Sequence, residues 1–199
     1  REMSATWAIV VAGGDGARLG ADRPKAFVKL GGRPLLAHSI DLLDDHPAVD
    51  RIVLVVPAEW EEPATLLADE LAAGKVAAAV PGGATRSLSV AAGLSEVGAD
   101  AEAIVVHDAA RPFASAELVD RVLAALDAHD GAIPVLPVTD TVKRVQDGVV
   151  AETLERGELR AVQTPQAFRA AALRRAYAAS AEAVRDAITR TMTTLPEAL

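Results

Sequence analysis

Four short apolar runs, at residues 7–12, 51–56, 76–80 and 103–107, alternate with amphipathic stretches at 34–44, 59–73, 86–97 and 116–129. The runs are too short for helices and carry β-branched residues, so they read as strands; the stretches between them have helical periodicity. Ser115 stands where an N-cap would open the last of these helices. Strands separated by helices of this length pair in parallel, because each helix carries the chain back before the next strand begins. The alternation therefore predicts an α/β chain with a mostly parallel, twisted sheet and helices on both faces. Ligands of such sheets sit outside the carboxyl ends of the strands. No repeat or linker interrupts residues 1–199, which read as a single domain.

Composition removes several classes of function. The chain has 199 residues and no cysteine, which excludes disulfides, thiolate metal sites and cysteine nucleophiles. Its formal net charge of −8 disfavours nucleic-acid polymers as partners. No apolar run reaches the roughly 20 residues needed to cross a bilayer. The first run leads directly into a glycine loop and not to a cleavage site, so a cytoplasmic location and no membrane partner are expected. A small anion could still be held wherever cations and backbone N–H groups converge.

The first such place is Ala12-Gly13-Gly14-Asp15-Gly16-Ala17-Arg18, followed by Pro24-Lys25. Glycines let the backbone approach phosphate oxygens closely, and Arg18 and Lys25 would add positive charge. Neither a P-loop nor a dinucleotide fingerprint fits, since no Gly-Lys-Ser/Thr follows and the third glycine of the fingerprint is missing.

The A-G-G-x-G-x-R loop with its later lysine resembles the signature of the sugar-nucleotidyltransferase superfamily. Three further segments are similar to the 2-C-methyl-D-erythritol 4-phosphate cytidylyltransferase family: Gly82-Gly83-Ala84-Thr85-Arg86-Ser87-Leu88-Ser89-Val90; His107-Asp108-Ala109-Ala110-Arg111-Pro112; and Asp140-Thr141-Val142-Lys143 with Arg156 and Thr164-Pro165-Gln166. The resemblance implies a Rossmann-like sheet and transfer of CMP from CTP to 2-C-methyl-D-erythritol 4-phosphate. The products would be 4-diphosphocytidyl-2-C-methyl-D-erythritol and pyrophosphate, in the non-mevalonate isoprenoid pathway. Such a reaction joins two anions, so the site must position them and neutralise charge, with no protein nucleophile.

The resemblance also distributes roles. Ala12, Gly13, Gly14 and Gly16 would cradle CTP; Arg18 and Lys25 would be the catalytic cations. Gly82, Gly83, Arg86 and Ser89 would line the base and ribose pocket. Asp108 would hold Mg²⁺, which takes one or two protein carboxylates and completes its shell with phosphates and water. The acceptor would meet Asp108, Arg111, Thr141, Arg156 and Thr164. His107 alternates with Asp108 along a strand, points to the other face, and reads as structural.

Asp147-Gly148, between two β-prone runs, predicts a hairpin. Residues 141–163 are thinly apolar and read either as a surface flap or as a dimerisation arm reaching a second subunit; the resemblance favours the arm and a homodimer with composite sites. The tail departs from the family. No lysine follows Lys143, and Met192 falls where the family's second lysine belongs; the segment 184–187 only partly matches the family, and the tail is shorter by roughly a helix and a strand. Two other functions share these loops: a ribitol-5-phosphate cytidylyltransferase, and a catalytically silent nucleotide-binding protein.

Overall fold

The computed structural model describes residues 5–13, 23–178 and 192–196. The four expected strands are present as β1 (Ala5–Val11), β4 (Arg51–Val56), β5 (Val76–Pro81) and β6 (Ala101–Asp108). Between β1 and β4 lie the two-residue strands β2 (Lys29–Leu30) and β3 (Arg33–Pro34) and then helix α1 (Leu35–Asp44). Helix α2 (Glu61–Glu70) follows β4, and α3 (Arg86–Glu96) follows β5. Helix α4 (Ala116–Ala124) follows β6. The stretches expected at 59–73 and 116–129 are each divided: a 3-10 turn precedes α2 and another, Ala125–Asp127, ends α4.

Beyond α4 the chain adds β7 (Gly131–Pro137), β8 (Lys143–Gln146), β9 (Val149–Thr153), β10 (Arg160–Val162) and β11 (Gln166–Arg169). Helix α5 (Ala170–Ala178) and β12 (Met192–Pro196) complete it. The expected surface helix over 170–186 is α5 as far as Ala178; 179–186 lie outside the described residues, as does the 184–187 motif.

The main sheet runs β10-β7-β11-β6-β1-β4-β5, with β12 also on β7. Strands β5, β4, β1 and β6 are mutually parallel, whereas β11 is antiparallel to β6 and β7. From β1 the chain builds outward through β4 and β5 on one side and then crosses to β6 on the other. That reversal makes the carboxyl ends of β1 and β6 a topological switch point, with a crevice between them.

Burial explains why β1 and β4 are continuous apolar runs: Ala8, Ile9 and Val10, and all of Ile52 to Val56, are inaccessible to solvent on both faces. One face packs against Leu36, Ile40, Leu43, Ala64, Val119 and Val122 of α1, α2 and α4. The other packs against Val90 and Leu94 of α3 and Leu173 of α5.

Strands β10 and β11 are one bent strand. Val162 pairs with Val135 and Ala167 with Ala132, so five steps along one strand answer three along the other. The surplus chain bulges at Gln163–Gln166, beside the end of β6. Bulges of this kind re-aim side chains next to functional sites. Strands β8 and β9 form a separate two-stranded sheet. Asp147 (φ 49°) and Gly148 (φ 79°) both adopt the left-handed conformation that a two-residue hairpin turn requires. Within the expected 141–163 segment, β10 returns to pair with β7.

Candidate active site

Register puts Val11 opposite Asp108, and the Ala109 N–H donates to the Val11 carbonyl at 2.9 Å. The glycine loop therefore leaves β1 beside the acidic end of β6, at the switch point. Ala12 is buried and donates to Val55 O at 2.7 Å, which ties the loop's root to β4. Gly14, Gly16 and Arg18 lie outside the described residues.

The second glycine segment closes on the first through Ser89. Thr85 caps α3, accepting from Leu88 N at 3.2 Å, so the helix starts where the sequence places Arg86. Ser89 is buried, and its hydroxyl exchanges hydrogen bonds with Gly83 N at 3.2 Å and Gly83 O at 3.3 Å. A Cβ at Gly82 would lie 2.8 Å from that hydroxyl, and one at Gly83 would run into Leu88; a Cβ at Gly13 would sit 3.5 Å from it. Gly82 and Gly83 are needed for close approach, whereas a side chain at Gly13 would make ordinary contact. Ala12, Gly13, Gly82, Gly83 and Ser89 thus form one group.

A charged group gathers beside it. Arg86 donates through Nε to Asp108 Oδ1 at 2.8 Å, and Arg111 Nε lies 3.6 Å from Asp108 Oδ2. Two cations against one carboxylate leave a local excess of positive charge. Both arginines stay part-exposed (45% and 39%), within reach of a ligand. Arg86, expected at the base and ribose pocket, has its guanidinium spanning Asp108 and Gln166, the latter at 3.3 Å.

Thr164 is buried, and its hydroxyl accepts from Asp108 N at 3.1 Å while meeting His107 Nδ1 at 3.0 Å. It was expected on the acceptor; its oxygen makes these two contacts, which hold the end of β6, and the residue also lines the neighbouring cleft. His107 is fully buried on the face opposite Asp108, as a structural histidine should be. Burial lowers its pKa to about 4, against the opposing pull of Asp108, so the ring is neutral near pH 7.

Lys25 is exposed on a short 3-10 turn whose Ala26 and Phe27 are buried, with Phe27 against Trp60 at 4.4 Å between ring centres. The anchored turn holds the lysine at the surface. Arg156 donates to Thr139 O at 2.9 Å, close in sequence to the exposed Thr141 at the root of the hairpin. Among the described residues, neither Thr141 nor Arg156 is bonded to the Asp108 group.

Next to that group opens a cleft of about 800 Å³, lined by Arg111, Phe113, Leu118, Arg121, Gln163 and Thr164. Among the described residues no three His, Cys, Asp or Glu side chains gather as a metal cage. A lone carboxylate, Asp108, fits Mg²⁺ that carries phosphate oxygens and water, and does not fit a cation caged by protein alone. Also among the described residues, no helix is long and apolar enough to cross a membrane.

Gln163 and Gln166 entered this group unforeseen. Gln166 closes the Thr-Pro-Gln segment, but nothing in the local sequence shows that a bulge would bring either amide to the arginines.

Fold and site together define an α/β protein with a glycine-lined, arginine-bearing crevice at the switch point of its sheet. The family model described as 2-C-methyl-D-erythritol 4-phosphate cytidylyltransferase matches residues 6–192. A protein of that name from Rhodococcus jostii is 51% identical over 176 residues, covering 87% of this chain and 75% of that one. A bifunctional enzyme IspD/IspF from Rhizorhabdus wittichii is 43% identical over 90% of this chain, which spans 46% of that protein. The crystal structure of 2-C-methyl-D-erythritol 4-phosphate cytidylyltransferase from Thermus thermophilus superposes with a TM-score of 0.71 at 32% identity, covering 96% of this chain and 88% of that one. The chain belongs to the 2-C-methyl-D-erythritol 4-phosphate cytidylyltransferase family.

Proposed function

We propose that this chain transfers CMP from CTP to 2-C-methyl-D-erythritol 4-phosphate, releasing pyrophosphate. The observation that carries the reading is Asp108 between Arg86 and Arg111, beside the glycine group of residues 12–13 and 82–83, at the sheet's switch point. An oxygen of the acceptor's phosphate attacks the α-phosphorus of CTP in line. The bond from that phosphorus to the bridging oxygen breaks, and pyrophosphate leaves with the electron pair. The nucleophile is already an anion, so no protein base is needed, and the buried neutral His107 is not one.

The protein's task is to position the two phosphates and offset their repulsion. The glycine amides and Ser89 hold the nucleotide. Arg18 and Lys25 neutralise the triphosphate, and Lys25 acts mainly on the charge that grows at the α-phosphate. Arg111 faces the cleft that receives the acceptor. Asp108 holds Mg²⁺, which when bound offsets negative charge on the phosphate oxygens.

The hairpin β8–β9 exposes Val145, Val149 and Val150, apolar side chains that a surface flap has little reason to carry. They support a homodimer in which Thr141 and Arg156 reach the acceptor phosphate in the neighbouring subunit; an arginine fork suits phosphate well.

The direct test incubates the protein with CTP and Mg²⁺ and follows pyrophosphate, with methylerythritol phosphate or ribitol 5-phosphate as acceptor. Faster release with methylerythritol phosphate is expected. A preference for ribitol phosphate overturns the acceptor, and CTP binding without turnover of either overturns the activity.

A further inference from the structure

Gln163 and Gln166 flank the Thr164-Pro165 bulge, and each presents its amide carbonyl to one of the two arginines around Asp108. Gln166 Oε1 accepts from Arg86 Nη2 at 3.3 Å, and its Nε2 donates to the Gln163 carbonyl at 3.2 Å. Gln163 Oε1 accepts from Arg111 Nη1, and its Nε2 donates to Ala161 O at 3.3 Å. Both amides therefore have a defined orientation. Turning either one round would set an NH₂ against a guanidinium and an oxygen against a carbonyl. With Asp108 between the arginines, the contacts close into a ring: Arg86, Asp108, Arg111, Gln163, Gln166 and back to Arg86.

We infer that Gln163 and Gln166 are positioning residues for the reaction proposed above, holding Arg111 toward the acceptor and Arg86 toward the nucleotide without cancelling their charge. The choice of a neutral acceptor is the physical point. An arginine tethered only by Asp108 can swing about that single carboxylate. A second carboxylate would fix it, but would also remove the excess positive charge that phosphates require. An amide oxygen supplies direction at no cost in charge. The bulge makes this possible, since an unbroken strand would alternate these side chains across the two faces of the sheet. Gln166 is buried and Gln163 half-buried, so neither is a solvent-facing amide that bonds by chance.

The test compares Gln166→Glu, Gln166→Met, Gln163→Glu and Gln163→Met with the wild type. It measures CTP dissociation constants by calorimetry without acceptor, KM and kcat for both substrates, and melting temperature. Both Gln166 variants should weaken CTP, the glutamate by about tenfold, the scale of one hydrogen bond to a charged group. The Gln163 variants should raise the acceptor's KM by about the same factor and leave CTP affinity unchanged. In each pair glutamate should be worse than methionine: methionine only loses the tether, whereas glutamate keeps it but cancels the arginine's charge and sets a carboxylate oxygen against the carbonyl that Nε2 now meets. Unchanged constants overturn the inference. So do losses shared equally by both ligands that follow the fall in melting temperature, as a merely structural role would give. Gln163 is only half-buried, so its variants decide the matter should Gln166→Glu fail to fold. A wild type that binds CTP without turning over the acceptor overturns the proposed function alone; CTP affinity of the Gln166 variants still decides the inference.

Discussion

Lys25 projects from a turn pinned by Phe27 and Trp60, and its role in the proposed reaction lies in the transition state more than in binding. Lys25→Ala should therefore lower kcat by about a hundredfold, the scale seen when one charge-stabilising donor is removed, with modest loss of CTP affinity. Steady-state kinetics with CTP titration checks this, and unchanged turnover would remove Lys25 from the catalytic group. His107 carries a prediction about stability. Its folded pKa of about 4 lies below the ordinary 6.5, so the unfolded chain binds more protons between those values. The stability it contributes is whole above pH 6.5 and is lost as pH falls toward 4. On this account the fold should be about 2 kcal/mol less stable at pH 5 than at pH 7. Urea unfolding of the wild type and His107→Gln at both pH values measures it: the variant should lose less stability between them, and equal losses would contradict the assignment.

Helix α3 carries both Arg86 and Ser89, and its first turn depends on the Thr85 cap. Thr85→Ala should cost about 1 kcal/mol of stability and weaken CTP as the turn frays. Gly83→Ala should do more to the nucleotide than to the fold, because a Cβ there displaces Leu88 and with it the Ser89 hydroxyl. Melting temperatures together with CTP titration separate these effects; a Gly83→Ala protein with wild-type CTP affinity would remove this loop from the nucleotide site. At this scale much was readable in advance. Continuous apolar runs marked β1 and β4 because both their faces are buried, and Asp147-Gly148 marked the hairpin turn because few residues accept positive φ. The division of α4 by a 3-10 turn and the brevity of β10 were not readable. Both depend on what the neighbouring chain offers, and local propensity is silent on that.

For the molecule as a whole, the proposed homodimer makes the sharpest prediction. Deleting residues 143–153, the β8–β9 hairpin, should yield a monomer with an intact main sheet, since that hairpin is a separate sheet. Sedimentation and circular dichroism would report both outcomes, and a dimer that survives the deletion would dismiss the arm. Arg156→Ala should weaken the acceptor and spare CTP. Mixed dimers of Lys25→Ala and Arg156→Ala chains should recover part of the activity lost by either homodimer, because one of their two sites is whole. Without recovery, the arm does not act across subunits.

Strand and helix order, the glycine loop after β1 and the aspartate ending β6 all follow from local sequence, because periodicity and chain direction are local properties. Together they point to phosphate chemistry at the carboxyl edge of a parallel sheet. The partners of each charge had a different origin. That Arg86 turns to Asp108, that Thr164 holds the end of β6, and that two glutamines steer the arginines depends on a bulge bringing residues 163–166 against residues 86 and 108. Contacts between segments 22 to 80 residues apart are settled only when the core packs, because packing alone fixes which side chains share one small, partly dehydrated space.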